Sequence, residues 1–279
     1  MLEKGIAFLG AGNMGGALIE GLIKKGLDKK YLFISDKLQK EKVEKRFKIK
    51  ILDNTSCVKK ADVILICVKP QDIFSLLKEI EPAIDDEKLI ISIVAGVGIS
   101  SIEKHLQKKG KIVRAMPNIA ALVGEAISCF CKDEKVKEKD EEIVYEILSS
   151  IGKVEKIEEG LLDAVTGLSG SGPAYVFEMI EAMADGGVKM GLKRDTAMLL
   201  SAQTIKGATE MVLKLKKHPA QLKDMVTSPA GTTIYGLSIL EEKGMRDAFI
   251  KAIEGATKRS KELSNKIGGD NGSSNGKFN

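Results

Sequence analysis

Tryptophan is absent from the 279 residues, and aromatic side chains make up only 4% of them. That leaves no platform on which successive bases could stack. The net charge of +5 is carried by lysines interleaved with acids, as in KDEKVKEKDEE, the pattern of a solvated helix face. Nucleic acid is therefore not an expected partner. Histidine is nearly missing too: His105 and His218 stand alone, with no second histidine or cysteine at ligand spacing. On that inventory no metal site is expected, and the usual proton shuttle is out of reach. The four cysteines, Cys57, Cys67, Cys129 and Cys131, form no C-x-x-C pair and read as buried, reduced thiols. No apolar run approaches the length of a membrane span, and no secretory leader pattern opens the chain. A cytoplasmic protein without a membrane partner is expected.

What is present is a globular balance, 43% hydrophobic and 30% charged, in a chain long enough for two domains. GIAFLG, YLFIS, ADVILICVKP, KLIISIVAG and KIVRAMP read as strands separated by helical segments, with AISCFCKD and KVEKIEE as further strands toward a sheet edge. The third is apolar throughout, as in a parallel strand buried on both faces. This βαβα rhythm predicts an α/β, Rossmann-type N-terminal domain on a mostly parallel, doubly wound sheet. From about Leu161 the strands give way to long helical segments at 173–190, 193–215 and 245–264. Three parts are expected: a dinucleotide-binding domain over 1–160, an all-α domain over 161–265, and a disordered Gly/Ser/Asn-rich tail over 266–279. The helices of 173–215 are small or apolar around much of their circumference, and such helices have to be covered. One small domain cannot surround them, so a homodimer or larger homo-oligomer is expected.

The most informative stretch is KGIAFLGAGNMGGALIEGLIKKG, residues 4–26. Gly10, Gly12 and Gly15 form a G-x-G-x-x-G motif that follows a strand and opens a helix. In such a unit the first glycine makes the tight turn, the second lets a pyrophosphate near the backbone, and the third lets helix and strand pack closely. The helix N-terminus adds free N–H groups and partial positive charge. Asp36 closes the second strand, where a carboxylate reads a ribose 2′-hydroxyl and repels a 2′-phosphate. Lys37 and Lys40 follow at once and would suit a phosphate, so NADH and NADPH both stay open as the cofactor. Ligands of doubly wound sheets lie beyond the C-terminal strand ends. That brings Val68, Lys69 and Pro70 of CVKP, IVAG at 93–96 and RAMPN at 114–118 to the candidate cleft. In the helical part, GLSGSGPAY (167–175) and LKDMVTSPAGTTIYGL (222–237) are hydroxyl-rich loops that each feed a helix, a ready anion site. The same residues serve equally as plain helix starts, with Thr232 or Thr233 as an N-cap and Pro173 in a first turn.

Taken together, these stretches resemble the pyrroline-5-carboxylate reductase family over about residues 4–264. VTGLSGSGPAYVF, EAMADGGVKMGL, HPAQLKDMVTSPAGTTI and LEEKG carry the likeness most specifically, and RAMPN is also typical. The resemblance implies a Rossmann domain followed by a helical dimerisation domain that intertwines with a second subunit. It implies hydride transfer from NADH or NADPH to the C=N bond of a small-molecule substrate, 1-pyrroline-5-carboxylate, giving L-proline. By position it implies cofactor contacts at Leu9, Gly10, Ala11, Gly12, Asn13, Met14 and Gly15, at Asp36 and Asn54, at Cys67, Val68, Lys69 and Pro70, and at Val94 and Ala95. It implies a substrate carboxylate on the backbone of the loop holding Val226, Gly231, Thr232 and Thr233, with Thr233 as the catalytic candidate near the ring nitrogen. A cyclic imine can be protonated by way of a hydroxyl or water, so a site without histidine is chemically reasonable. Two positions depart from the family pattern. Ala230 stands where glycine is more usual, which would shift the local backbone because alanine disfavours a positive φ. Asp36 stands where many relatives carry a small or neutral residue.

Two other classes compete. The β-hydroxyacid dehydrogenases share a Rossmann-plus-helical plan, but Val176 and Ile180 occupy the places of their catalytic lysine and asparagine. A non-catalytic NAD(P)H-binding redox sensor fits the first domain, yet would have no use for the hydroxyl-rich loop of the second.

Overall fold

The structure is a computed structural model and describes residues 3–269. The described residues form two compact units: residues 3–170 together with 256–269, and Ser171–Gly255.

The first unit is built on seven strands, β1 (Ile6–Leu9), β2 (Leu32–Ser35), β3 (Val63–Ile66), β4 (Leu89–Ser92), β5 (Lys111–Met116), β6 (Ala126–Lys132) and β7 (Gly152–Lys156). They stand in the order β2-β1-β3-β4-β5-β6-β7, so all seven expected strands join one sheet. Its helices are α1 (Asn13–Lys24), α2 (Lys40–Phe47), α3 (Asn54–Lys60), α4 (Ile73–Ile80), α5 (Ile99–His105), α6 (Glu138–Leu148) and α7 (Leu162–Val165). Every neighbouring pair is parallel except β5 and β6. Parallel strands need a crossover of a dozen or more residues. The link between β5 and β6 holds only a 3₁₀ turn, Ile119–Val123, before Gly124 at φ +77° turns the chain back.

Strand residues alternate between two apolar layers, as the period of two requires. Ile6, Phe8, Val63 and Leu65 face a layer with Leu18 and Ile19 of α1, Phe47 of α2 and Val144 of α6. Ala7, Leu9, Ile64 and Ile66 face a second layer with Val58 of α3, Leu77 of α4 and Ile102 of α5. Helices on both faces are the mark of a doubly wound sheet. Each fully buried Ile, Leu or Phe contributes about 1.5–3 kcal/mol of transfer free energy.

The second unit is helical: α8 (Gly172–Lys189), α9 (Arg194–Leu215), α10 (Pro219–Met225), α11 (Thr232–Glu242) and the first part of α12 (Met245–Gly269). Small residues let α8 and α9 approach closely. Ala184, Ala197 and Ser201 are buried, and a Cβ added to Gly187 would stand 3.1 Å from that of Ala197. Little else in these helices is covered, and α11 buries no residue at all.

The compact units divide the chain elsewhere than the expected boundary at 160/161. Residues 161–170 group with the sheet because Leu162 is buried in the second apolar layer. The end of α12 joins them: Ser260 Oγ and Ser264 Oγ donate to Asp163 Oδ1 at 2.6 and 3.3 Å. The expected tail also begins too early at 266, since α12 continues to Gly269 with Ile267 packed on the second layer. The remainder of that tail, 270–279, lies outside the described residues.

Candidate active site

The chain order reverses beside β1: β2 lies on one side of it and β3 on the other. Such a switch point opens a crevice beyond the strand ends. The glycine loop lies there, and the fold constrains two of its three glycines. Gly10 has φ +100°, and a Cβ there would stand 2.7 Å from the Cys67 carbonyl oxygen at the end of β3. A Cβ on Gly15 would stand 2.3 Å from the Gly10 carbonyl oxygen, so α1 could not sit this close to its own entry turn. Gly12, the N-cap of α1, is the contrast, because a Cβ there meets nothing within 4 Å. No packing demand of the fold explains that glycine, whereas a pyrophosphate drawn to the helix N-terminus does. The open space that a Cβ on Gly12 would enter fits such a group.

The other predicted cofactor residues of this unit gather at the same edge. Leu9 is fully buried and its carbonyl accepts from Cys67 N–H at 2.9 Å, so it shapes the turn from beneath. Ala11 is buried, while Asn13 is exposed and Met14 half-buried at the head of α1. Cys67 and Val68 leave β3 half-buried, Lys69 is exposed, and Pro70 opens a 3₁₀ turn. The parallel register of β3 with β4 sets Val94 and Ala95 alongside them, and Ile93 N–H donates to Ile66 O at 3.1 Å. Burial pushes the Cys67 thiol well above its ordinary range and the Cys57 thiol up to about 12. Neither is a nucleophile at neutral pH.

Asp36 is more than a ribose reader in waiting. Its Oδ2 accepts from Ala11 N–H at 2.9 Å, and its Oδ1 accepts from Leu38 and Gln39 N–H at 3.0 and 2.8 Å. The carboxylate therefore ties the glycine loop to the end of β2. Lys37, 70% exposed, pairs with Glu79 of α4 at 2.9 Å. Asn54, at the head of α3, is only 6% exposed and donates through Nδ2 to the same Glu79 oxygen at 3.0 Å. Lys37 holds the Glu79 carboxyl below the usual carboxylate range against partial desolvation, and Asn54 adds to the effect. Sequence reasoning missed Glu79. It lies 25 residues from Asn54 and 42 from Lys37 in an ordinary amphipathic helix, and no local pattern marks it.

The predicted substrate residues belong to the second unit. Ser228, Pro229, Ala230 and Gly231 form a turn closed by Gly231 N–H donating to Ser228 O at 3.1 Å. Proline at its second position and a positive φ at its third are the features of a type II turn. That third residue is Ala230, at φ +55°. The expected backbone shift is absent, because the ring-locked proline and the closing hydrogen bond hold alanine in a glycine conformation. Gly231 caps α11 without a side-chain hydrogen bond. Thr232 and Thr233 are thus inside the first turn rather than capping it, which sets aside the N-cap reading of the loop. Thr232 is exposed and Thr233 half-buried, and Val226, at the end of α10, is exposed. The first-turn N–H groups of α11 meet no side-chain acceptor and are available to an anion. Pro173 does occupy the first turn of α8, as expected. His218 accepts from Ala220 N–H at 3.2 Å through Nδ1 and so caps α10.

Comparison with known proteins covers both units. Residues 159–263 match the family described as pyrroline-5-carboxylate reductase dimerisation, and residues 5–96 match that described as NADP oxidoreductase, coenzyme F420-dependent. The pyrroline-5-carboxylate reductase of Methanosarcina acetivorans is 46% identical over 270 residues, 95% of this chain and 100% of the relative. That of Glycine max is 39% identical over 93% of this chain and 96% of its own length. Among solved structures, the Plasmodium falciparum pyrroline carboxylate reductase with NADP bound has a TM-score of 0.86 at 36% identity, covering 95% of this chain and 99% of that one. The Coxiella burnetii pyrroline-5-carboxylate reductase has a TM-score of 0.89 at 34% identity, covering 94% and 99%.

Proposed function

The chain belongs to the pyrroline-5-carboxylate reductase family, and from that membership we propose how its own residues carry the reaction. The protein is an NAD(P)H-dependent oxidoreductase that reduces the C=N bond of 1-pyrroline-5-carboxylate to give L-proline, the last step of proline synthesis. When bound, the nicotinamide supplies the hydride.

The observation that carries the assignment of roles is the bare first turn of α11. A helix of eleven residues begins there with no side-chain acceptor on its N-terminal N–H groups and two threonines at its head. A carboxylate fits that place. Each favourable charge at a helix N-terminus contributes about 0.3–1 kcal/mol, and N–H bonds to a carboxylate add to it. Gly231, Thr232 and the nearby Val226 hold and flank the carboxylate, and the Thr233 hydroxyl orients the ring nitrogen and its proton. In the first unit, Gly10, Ala11, Gly12, Asn13, Met14 and Gly15 would hold the pyrophosphate of the dinucleotide at the head of α1. Val68, Lys69, Pro70, Val94 and Ala95, at the neighbouring strand ends, would hold the rest of it.

The protein works as a homo-oligomer, and a dimer is the proposed minimal unit, since α9 leaves Leu199 67% exposed and buries only Ala197 and Ser201. The four cysteines are unpaired, which suits a reducing cytoplasmic setting. Among the described residues no helix is long and apolar enough to cross a membrane.

Mixing the protein with NADPH or NADH and 1-pyrroline-5-carboxylate, and following loss of the reduced-nicotinamide absorbance, tests the reading directly. Substrate-dependent oxidation with proline as product is expected. No oxidation with either cofactor overturns it.

A further inference from the structure

The segment that carries Asn54 runs beside the end of β2. Ile51 forms a bridge to Ile34, and Leu52 N–H donates to Ile34 O at 3.0 Å. Lys37 follows Asp36 directly and Asn54 follows the segment paired with the end of β2, so both are side-chain donors at the end where the adenosine ribose of a dinucleotide is read. Both are already committed. A single oxygen of Glu79, Oε2, takes the Lys37 ammonium at 2.9 Å and the Asn54 amide at 3.0 Å.

Glu79 sits in the last turn of α4, where a carboxylate opposes the partial negative charge of the helix C-terminus. The helix dipole does not favour it there. Its partners do, and both belong to the ribose end. Resting on the dinucleotide-binding part of the function above, we propose that Glu79 sets cofactor choice. It draws Lys37 and Asn54 away from a 2′-phosphate and so favours NADH over NADPH.

Asp36 itself is a poor probe of that choice, because removing it also unties Ala11 N–H and shifts the loop that both cofactors need. Glu79→Gln is cleaner. It keeps the shape and an acceptor for Asn54, removes one negative charge, and frees Lys37.

Calorimetric titration of NAD⁺ and NADP⁺ into the intact parent protein, Glu79→Gln, Lys37→Gln and the double variant reads the effect without turnover. Glu79→Gln is expected to tighten NADP⁺ relative to NAD⁺ by about tenfold, the scale of one near-surface charge interaction. Lys37→Gln alone should leave the ratio within about twofold, because its charge is already engaged. The double variant should lose most of the gain. An unchanged ratio in Glu79→Gln overturns the proposal. So does a tenfold loss of NADP⁺ affinity in Lys37→Gln alone, which would mean that Lys37 already serves the phosphate. If the parent binds neither nucleotide, the dinucleotide reading itself falls and the proposal with it, a result distinct from an altered ratio.

Discussion

Ala230 holds a φ of +55° between Pro229 and Gly231, and that one angle links the local sequence to the site it supports. A non-glycine residue in the left-handed region costs about 1–2 kcal/mol. Ala230→Gly removes the strain but also loosens the unfolded chain, which offsets part of the gain. Stability is therefore expected to rise by at most about 1 kcal/mol in urea unfolding, with kcat little changed. A fall in stability would show that the methyl group packs in the assembled protein. Three residues on, Thr233 admits two roles of different size. As a transition-state proton donor it would contribute about 10²–10⁴ in rate, and as an orienting hydrogen bond about 0.5–1.5 kcal/mol, roughly tenfold. Orientation is favoured, because the imine can take its proton from water. Thr233→Val should lower kcat about tenfold to a hundredfold with cofactor affinity unchanged, while Thr233→Ser stays active. A valine variant as fast as the parent would remove the hydroxyl from the chemistry.

Among the elements, the glycine loop separates fold from function within one short motif. Gly15→Ala pushes a methyl against the Gly10 carbonyl oxygen, a backbone atom that cannot turn aside. Overpacking of this kind costs about 1–3 kcal/mol, and a clash with backbone belongs at the upper end, roughly 6–12 °C in Tm. Gly12→Ala finds open space and should cost no more than about 1 kcal/mol, the scale of an N-cap change. Yet it should weaken NADH binding sharply, because the methyl fills the approach to the helix N-terminus. Thermal melts with nucleotide titrations check the pair, and equal Tm losses in both would refute the division of labour. The motif was legible in the sequence because its constraints are local: a strand, a turn and a helix within a dozen residues. The central strands were legible for a similar reason, since runs such as IAFL and VILI are apolar on both faces. Glu79 was not, because only the fold brings it to Lys37 and Asn54. The close of the first compact unit at Gly170 and the end of α12 were not legible, since what fixes them is Leu162, Asp163 and Ile267 meeting distant partners.

For the whole molecule, stability and self-association should be one property. The first unit has two apolar layers of its own, with Phe8, Leu65 and Leu77 fully buried. The helices of the second are different. Phe177 remains 63% exposed, Met190, Leu199 and Tyr235 more so, and α11 buries nothing. Covering even a few such side chains contributes about 1.5–3 kcal/mol each, which is large beside the 5–15 kcal/mol that holds a typical protein folded. The homo-oligomer is therefore expected to be obligate, and its apparent stability to depend on concentration by mass action. Hundredfold dilution should remove about 2.7 kcal/mol from each associating pair and lower Tm by several degrees. Leu199→Lys places a charge on the covered face. It should shift the protein toward smaller species in sedimentation and abolish proline formation, while the first unit retains its nucleotide affinity. A folded, active monomer at micromolar concentration, with a Tm indifferent to dilution, would show that these exposed side chains need no second copy.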